Sequence, residues 1–207
     1  MKLYSFTGSC GLAPNIALEW AGADYELELI KRSDTRKPDF LKLNPVGKVP
    51  VLELDDGRVL TEVPAVLMWI AEHWPDAKLG PDTNEDSVNA MRKWLSGFNG
   101  DIHPSFTPYF LTFRYAESED AQKEVKSIAA EEVAFQLSVV DRHMAGHDWV
   151  MGERRTVADA YLMVFCMWAG FLPGKLSAYP NLAAFAERMQ ADPGVKAAMK
   201  AQKLLKD

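Results

Sequence analysis

One cysteine, one proline and one glutamate carry most of the chemistry this sequence offers. In Asn44-Pro45-Val46-Gly47-Lys48-Val49-Pro50-Val51-Leu52, Pro50 opens what otherwise reads as a buried strand. Proline cannot donate to a sheet ladder, so it belongs at a strand's first residue or exposed edge, and an X-Pro bond is the one peptide link that is cis at low cost. A cis bond after Val49 turns the N–H and C=O of Val49 outward, where an extended peptide adds on as a further strand. The plainer alternative is an edge strand begun by a trans proline. Cys10 falls between a strand and a helix, where the positive end of the helix dipole favours a thiolate. Its rival reading is inert packing, because free cysteine is among the most buried residue types. Ser9 offers a hydroxyl on the same turn, or a cap. Glu62 follows Thr61, the expected cap of a helix, where a carboxylate suits the dipole. It also suits a ligand ammonium, while the N–H groups of Glu62 and Val63 bind a carboxylate, as in recognition of an amino-acid zwitterion.

Composition narrows the classes. The chain has 207 residues, 48% hydrophobic, with net charge -6 and no Lys/Arg run that would track phosphates, so no nucleic-acid partner is expected. Met1 to Phe6 lacks the apolar run of a secretory signal, and no stretch approaches the roughly 18 apolar residues of a membrane span, so a cytoplasmic location and no membrane association are expected. The two cysteines, Cys10 and Cys166, lie far apart without a C-x-x-C, so thiol chemistry here uses one cysteine. His73, His103, His143 and His147 show no metal-ligand spacing, and no metal is expected.

The elements that position these residues divide the chain in two. Lys2–Phe6 reads as a strand, and Leu12, Ile16, Ala17 and Trp20 as a helix that Gly22 stops. Tyr25–Ile30 alternates as a second strand. Val49–Leu54 joins Arg58–Leu60 through Asp55-Asp56-Gly57 as a hairpin, and Val66 to His73 forms a helix that Pro75 ends. The order β-α-β then β-β-α over residues 1–75 implies a small mixed sheet with helices packed on it. Residues 76–83 read as a linker. Residues 84–207 are helical almost throughout, at 84–113, 119–146, 156–170, 180–191 and 193–205, so the fold class is α/β followed by an all-α bundle. Thr156 and Asp159 form a capping box, a folding device. Cys166, on an apolar helix, reads as core.

Gly8-Ser9-Cys10, the Asn44 to Leu52 run, Leu60-Thr61-Glu62 and Thr156-Val157-Ala158-Asp159-Ala160-Tyr161, in this order and spacing, resemble the glutathione transferase superfamily, and within it the bacterial beta class. The resemblance runs nearly end to end. It implies a thioredoxin-like N-terminal domain, a helical C-terminal domain and a homodimer. It also implies glutathione along the Val49-Pro50 edge, with its γ-glutamyl end at Glu62 and Val63 and its sulfur at Cys10. His103 matches a histidine near that sulfur, its alternative being a solvent-facing or interface residue. Ser96 matches a polar position from which the same helix reaches the active site. Val63 and Pro64 depart from the family pattern: residue 63 offers an N–H but no hydroxyl. One of Lys31, Arg32, Arg36 and Lys37 is expected to help bind glutathione.

The aromatic stripe of Phe106, Tyr109, Phe110 and Phe113, with Trp168 and Phe171, is core or lines an electrophile pocket; Phe106, Phe110 and Trp168 are taken as pocket residues. The activity implied is conjugation of the glutathione thiolate to apolar electrophiles, a detoxifying reaction. Ser9, Ser5 or Cys10 would support the thiolate. Two alternatives stand beside it: a glutathione-dependent thiol-disulfide oxidoreductase using Cys10, and a non-catalytic ligand-binding member of the fold.

Overall fold

The computed structural model describes residues 1–205. Its first elements are β1 (Lys2–Ser5), α1 (Leu12–Ala21), β2 (Glu26–Leu29), α2 (Pro38–Leu43), β3 (Val51–Glu53), β4 (Val59–Thr61) and α3 (Val63–His73). The strands form one sheet in the order β2-β1-β3-β4, with β1 parallel to β2 and the other pairs antiparallel. Leu3 sits opposite both Leu27 and Leu52, which fixes the register by burying alternate side chains. One sheet face packs Leu3 and Leu52 under Leu12, Ile16, Val66 and Ile70 of α1 and α3. The other gathers Val49, Val51 and Phe40, with Tyr4 and Val59 beside them.

Two local expectations are corrected here. The β-α-β, β-β-α reading omitted α2, a helix of only two turns that Pro38 opens at its first position and that anchors itself through Phe40. Thr61 does not cap α3. It ends β4 opposite Val51, and the cap position is Glu62.

The helical elements are α4 (Glu85–Gly97), α5 (His103–Phe110), α6 (Glu119–Met144), α7 (Val157–Ala169), α8 (Pro180–Ala191) and α9 (Pro193–Ala201). Of the expected 84–207 region, residues 206–207 lie outside the described residues. The helix expected over 84–113 is divided: a π-helical turn at Phe98–Ile102 separates α4 from α5, and α5 carries Pro108. Asn84, Ser118 and Asp192 each accept a bond from a first-turn amide of α4, α6 and α9, worth about 1 kcal/mol apiece.

Helix α7 is buried on nearly every side, as its unbroken apolar sequence requires of a central helix. The capping box at its start is present. Asp159, fully buried, accepts from the backbone N–H groups of Thr156 (2.7 Å) and Val150 (2.8 Å) and from the Thr156 hydroxyl (3.1 Å). Burial pushes its carboxyl up to about 7 against those three donors.

The sheet unit and the helices share one core, because α1 packs on α7 and α9. Two indoles tie the units further: Trp20 Nε1 donates to Asp192 (2.8 Å) and Trp168 Nε1 to the carbonyl of Gly8 (2.8 Å). Arg154 holds the stretch before α4 through the Gly80 carbonyl (3.0 Å) and Asp82 (2.7 Å). No helix among the described residues is long and apolar enough to cross a membrane.

Candidate functional site

A cleft of about 1120 Å³ opens where the sheet edge meets the helices. From the sheet unit it takes Ser9, Cys10, Val49, Pro50, Glu62 and Val63; from the helices, Asn99, His103, Phe106, Phe110, Trp168 and Phe171. The Val49–Pro50 bond is cis. The Val49 N–H donates to nothing among the described residues, so one end of this peptide is available for strand-like pairing.

Val49's carbonyl is engaged by Cys10, whose Sγ–H donates to it at 3.4 Å. Cys10 is buried, and that burial pushes its thiol up to about 12; its own amide and Lys48 pull the other way without prevailing, and Glu62 adds to the rise. The expectation of a dipole-stabilised thiolate is therefore corrected. Desolvation outweighs the start of α1, and Cys10 remains a thiol that donates a hydrogen bond. Cys166, also buried, is raised by desolvation too; it packs in the apolar core, with its Sγ–H toward the Leu182 carbonyl at 4.0 Å.

Ser9 and Ser5 face inward. Ser9 Oγ lies 3.0 Å from Ser5 Oγ and accepts from the Gly11 N–H (3.2 Å), while Gln202 Nε2 donates to Ser5 Oγ (3.3 Å). Ser5 is fully buried and Ser9 nearly so. The two hydroxyls bond each other at the turn between β1 and α1, with Ser9 also on the cleft lining and Ser5 behind it. Gly11 is what allows this packing: a Cβ there would stand 2.2 Å from Ser5 Oγ.

Glu62 has φ 67° and ψ 122°, a backbone setting that costs a side-chain-bearing residue about 1–3 kcal/mol. Its side chain is exposed at the cleft and caps nothing. The Val63 amide, the first of α3, has no intrahelical acceptor and no other among the described residues, and Pro64 after it has no N–H to offer. An exposed carboxylate beside a free amide suits the two ends of an amino-acid zwitterion.

On the facing wall, the π-helical turn delivers Asn99 and the residue after it, His103, to the cleft; such turns recur at functional sites because the extra residue re-aims its neighbours. The Tyr161 hydroxyl donates to Asn99 Oδ1 (3.1 Å) and so accepts from His103 Nδ1–H (2.7 Å). This leaves His103 Nε2 without a hydrogen-bond partner among the described residues. Burial first, and then the Lys48 charge, lower the imidazole to about 4, so it is neutral at physiological pH. Phe106 stacks on Phe165 and Phe110 and meets Trp168 edge-on, which builds an aromatic wall next to His103.

Other expected residues lie elsewhere. Ser96 is exposed on α4 and outside the cleft lining, Tyr109 is buried with its hydroxyl on the Phe171 carbonyl, and Phe113 faces solvent. Of the four basic residues after β2, Arg32 and Arg36 line the cleft; Lys31 and Lys37 do not, and Lys37 pairs with Asp34 at 2.7 Å. Lys48, Asn99, Tyr161 and Arg114 were not singled out from the sequence. Lys48 had one signal, a cation adjoining the exposed-edge residue; the other three depend on packing between helices.

A four-stranded sheet unit bearing a cis-proline edge, joined to a helical unit that closes one cleft with it, defines a thioredoxin-like domain with a helical partner. The family profile "Glutathione S-transferase, N-terminal domain" matches residues 9–73, and "Glutathione S-transferase, C-terminal domain" matches residues 102–193. The chain belongs to the glutathione S-transferase family. A glutathione S-transferase of Xanthomonas campestris pv. campestris is 36% identical over 204 residues, 99% of this chain and 100% of that protein. A sphingomonad glutathione S-transferase complexed with glutathione is 38% identical, with a TM-score of 0.88 over 99% of this chain and 100% of that one. The bacterial beta-class enzyme of Sphingomonas chungbukensis is likewise 38% identical, with a TM-score of 0.87 over the same shares.

Proposed function

We propose that the protein conjugates glutathione to electrophilic small molecules. The observation that carries this reading is the convergence of three groups on one cleft: the unpaired Val49 N–H beside cis Pro50, the exposed Glu62 carboxylate with the Val63 amide, and the Cys10 thiol. Glutathione's cysteinyl backbone pairs with Val49 as an added strand. Its ammonium meets Glu62 and its γ-glutamyl carboxylate meets the Val63 N–H, while its glycyl carboxylate lies by Arg36 and Lys48. The reading divides the chain into a glutathione-binding domain (1–75), a linker (76–83) and a helical domain holding the electrophile (84–207).

The chain's part in the reaction is positioning and electrostatics. A thiol gives up its proton more readily where a cation and a hydrogen-bond donor stand beside the sulfur; Lys48 is the cation, and the Cys10 S–H becomes the donor once it turns from the Val49 carbonyl as the cysteinyl N–H of glutathione takes its place, with His103 on the facing wall of the cleft. The C–S bond then forms as the bond from carbon to its leaving group breaks, and the leaving group departs with the electron pair. Phe106, Phe110 and Trp168 hold the apolar frame of the electrophile. A neutral Cys10 argues against the oxidoreductase alternative, which needs an attacking thiolate.

Two free cysteines fit a cytoplasmic setting, and an aromatic wall beside the glutathione edge fits a detoxifying role. Ile128, Phe135 and Val139, exposed along α6, support a homodimer, which sedimentation would measure. The function is tested by following conjugation of glutathione to a chromogenic aryl halide. Turnover that saturates in glutathione supports it; no turnover together with no glutathione binding overturns it.

A further inference from the structure

Four cationic side chains line the cleft, Arg32, Arg36, Lys48 and Arg114, against one acid, Glu62. That surplus stands in a chain of net charge -6, so it is a local feature. Glutathione, placed as above, accounts for part of it: Glu62 takes the ammonium, and Arg36 and Lys48 take the glycyl carboxylate. Arg36 already sits in that neighbourhood, with Nη1 on the Val46 carbonyl at 3.4 Å.

Arg32 and Arg114 remain. Neither guanidinium holds a hydrogen bond or ion pair among the described residues, whereas every other arginine holds an acceptor, from Arg58 on Asp56 to Arg188 on Asp148. Arg32 lies in the short helical turn after β2 and Arg114 in the turn after α5, so the two units each bring one cation to the same cleft. The two are close enough to repel. Partial burial, and then the charge of Arg114, draw Arg32 below its ordinary pKa. Phe110, Leu111 and Phe171 line the same cleft, and Leu111 lies three residues before Arg114. Two unpaired like charges beside an apolar wall are relieved by one anion that carries an apolar frame. The flat fork of a guanidinium fits a carboxylate or sulfonate best.

We propose that the electrophile is an aromatic or conjugated anion whose carboxylate or sulfonate lies between Arg32 and Arg114 while its frame rests on Phe106, Phe110 and Trp168. This rests on the transferase reading and narrows its substrate class. Two largely exposed ion pairs together give about a tenfold preference for the charged form.

The test pairs chlorodinitrobenzoate with its methyl ester, two aryl halides that differ in the charge. The wild-type protein is expected to favour the acid over the ester about tenfold in kcat/KM, after correction for their rates with free glutathione. In Arg114→Met and Arg32→Met the ratio falls toward one, while Arg58→Met, a distant loss of one positive charge, keeps it. Equal or reversed preference in the wild type overturns the proposal and leaves the transferase reading standing. So does an Arg114→Met variant whose KM for glutathione rises tenfold with both electrophiles, since the pair then serves the glycyl carboxylate. Absence of turnover with both compounds, in a protein that does not bind glutathione, overturns the transferase reading and this proposal with it.

Discussion

Alkylation of Cys10 in the ligand-free protein measures how far burial opposes ionisation at the start of α1. The thiol donates to the Val49 carbonyl at 3.4 Å and is 7% exposed. Burial raises its pKa from 9.0 to about 12, which cuts the thiolate fraction at pH 7 about a thousandfold. The perturbation is pH, and the assay is the rate of iodoacetamide labelling, read at the peptide that contains Cys10 in a Cys166→Ala background. The rate at pH 7 should fall at least a thousandfold below that of a free cysteine peptide. It should also climb about tenfold per pH unit with no plateau up to pH 9.5. A plateau near pH 7 or 8 would mean that the dipole of α1 prevails over desolvation, and would refute the reasoning. It would also restore the oxidoreductase alternative.

Three further outcomes follow from named contacts. His103 is depressed from 6.5 to about 4, so its neutral form stabilises the fold above pH 6.5, and that contribution, about 3 kcal/mol, is lost as pH falls through 4; chemical denaturation should show His103→Gln losing less stability over that range than the wild type, and parallel curves would refute it. Gly11→Ala forces a Cβ to 2.2 Å from Ser5 Oγ and should cost about 1–3 kcal/mol in urea denaturation, whereas an unchanged midpoint would show that the Ser5, Ser9 and Gln202 group yields freely. Glu62→Gln removes the charge opposite the glutathione ammonium and should raise KM for glutathione about tenfold with a smaller effect on kcat; an unaltered KM would place the γ-glutamyl end elsewhere.

The parts of this site that were legible in the sequence are those whose chemistry is local. Pro50 could not sit inside a ladder, Asp159 stood three residues after Thr156, and Glu62 lay between a strand and a helix, so the local setting of each could be read without its distant neighbours. Cys10 misled because a dipole is a property of the next turn, while desolvation is set by what packs on it from residue 49, far along the chain. Ser96 misled for a related reason. In a straight helix residues 96, 99 or 100, and 103 share a face, but the π-helical turn at Phe98–Ile102 shifts the register and leaves Ser96 outside the cleft. The two-turn α2 escaped because six residues carry too little periodicity to read. Tyr161 and Asn99 escaped because their link to His103 joins helices 58 and 62 residues apart.

The most direct test of glutathione as an added strand is a crystal structure with glutathione bound. It should show the cysteinyl N–H and C=O paired with Val49, the γ-glutamyl end between Glu62 and the Val63 amide, and the sulfur within hydrogen-bond reach of Cys10 Sγ. Glutathione seated away from Val49, or a cleft left empty at saturating concentration, would contradict the account.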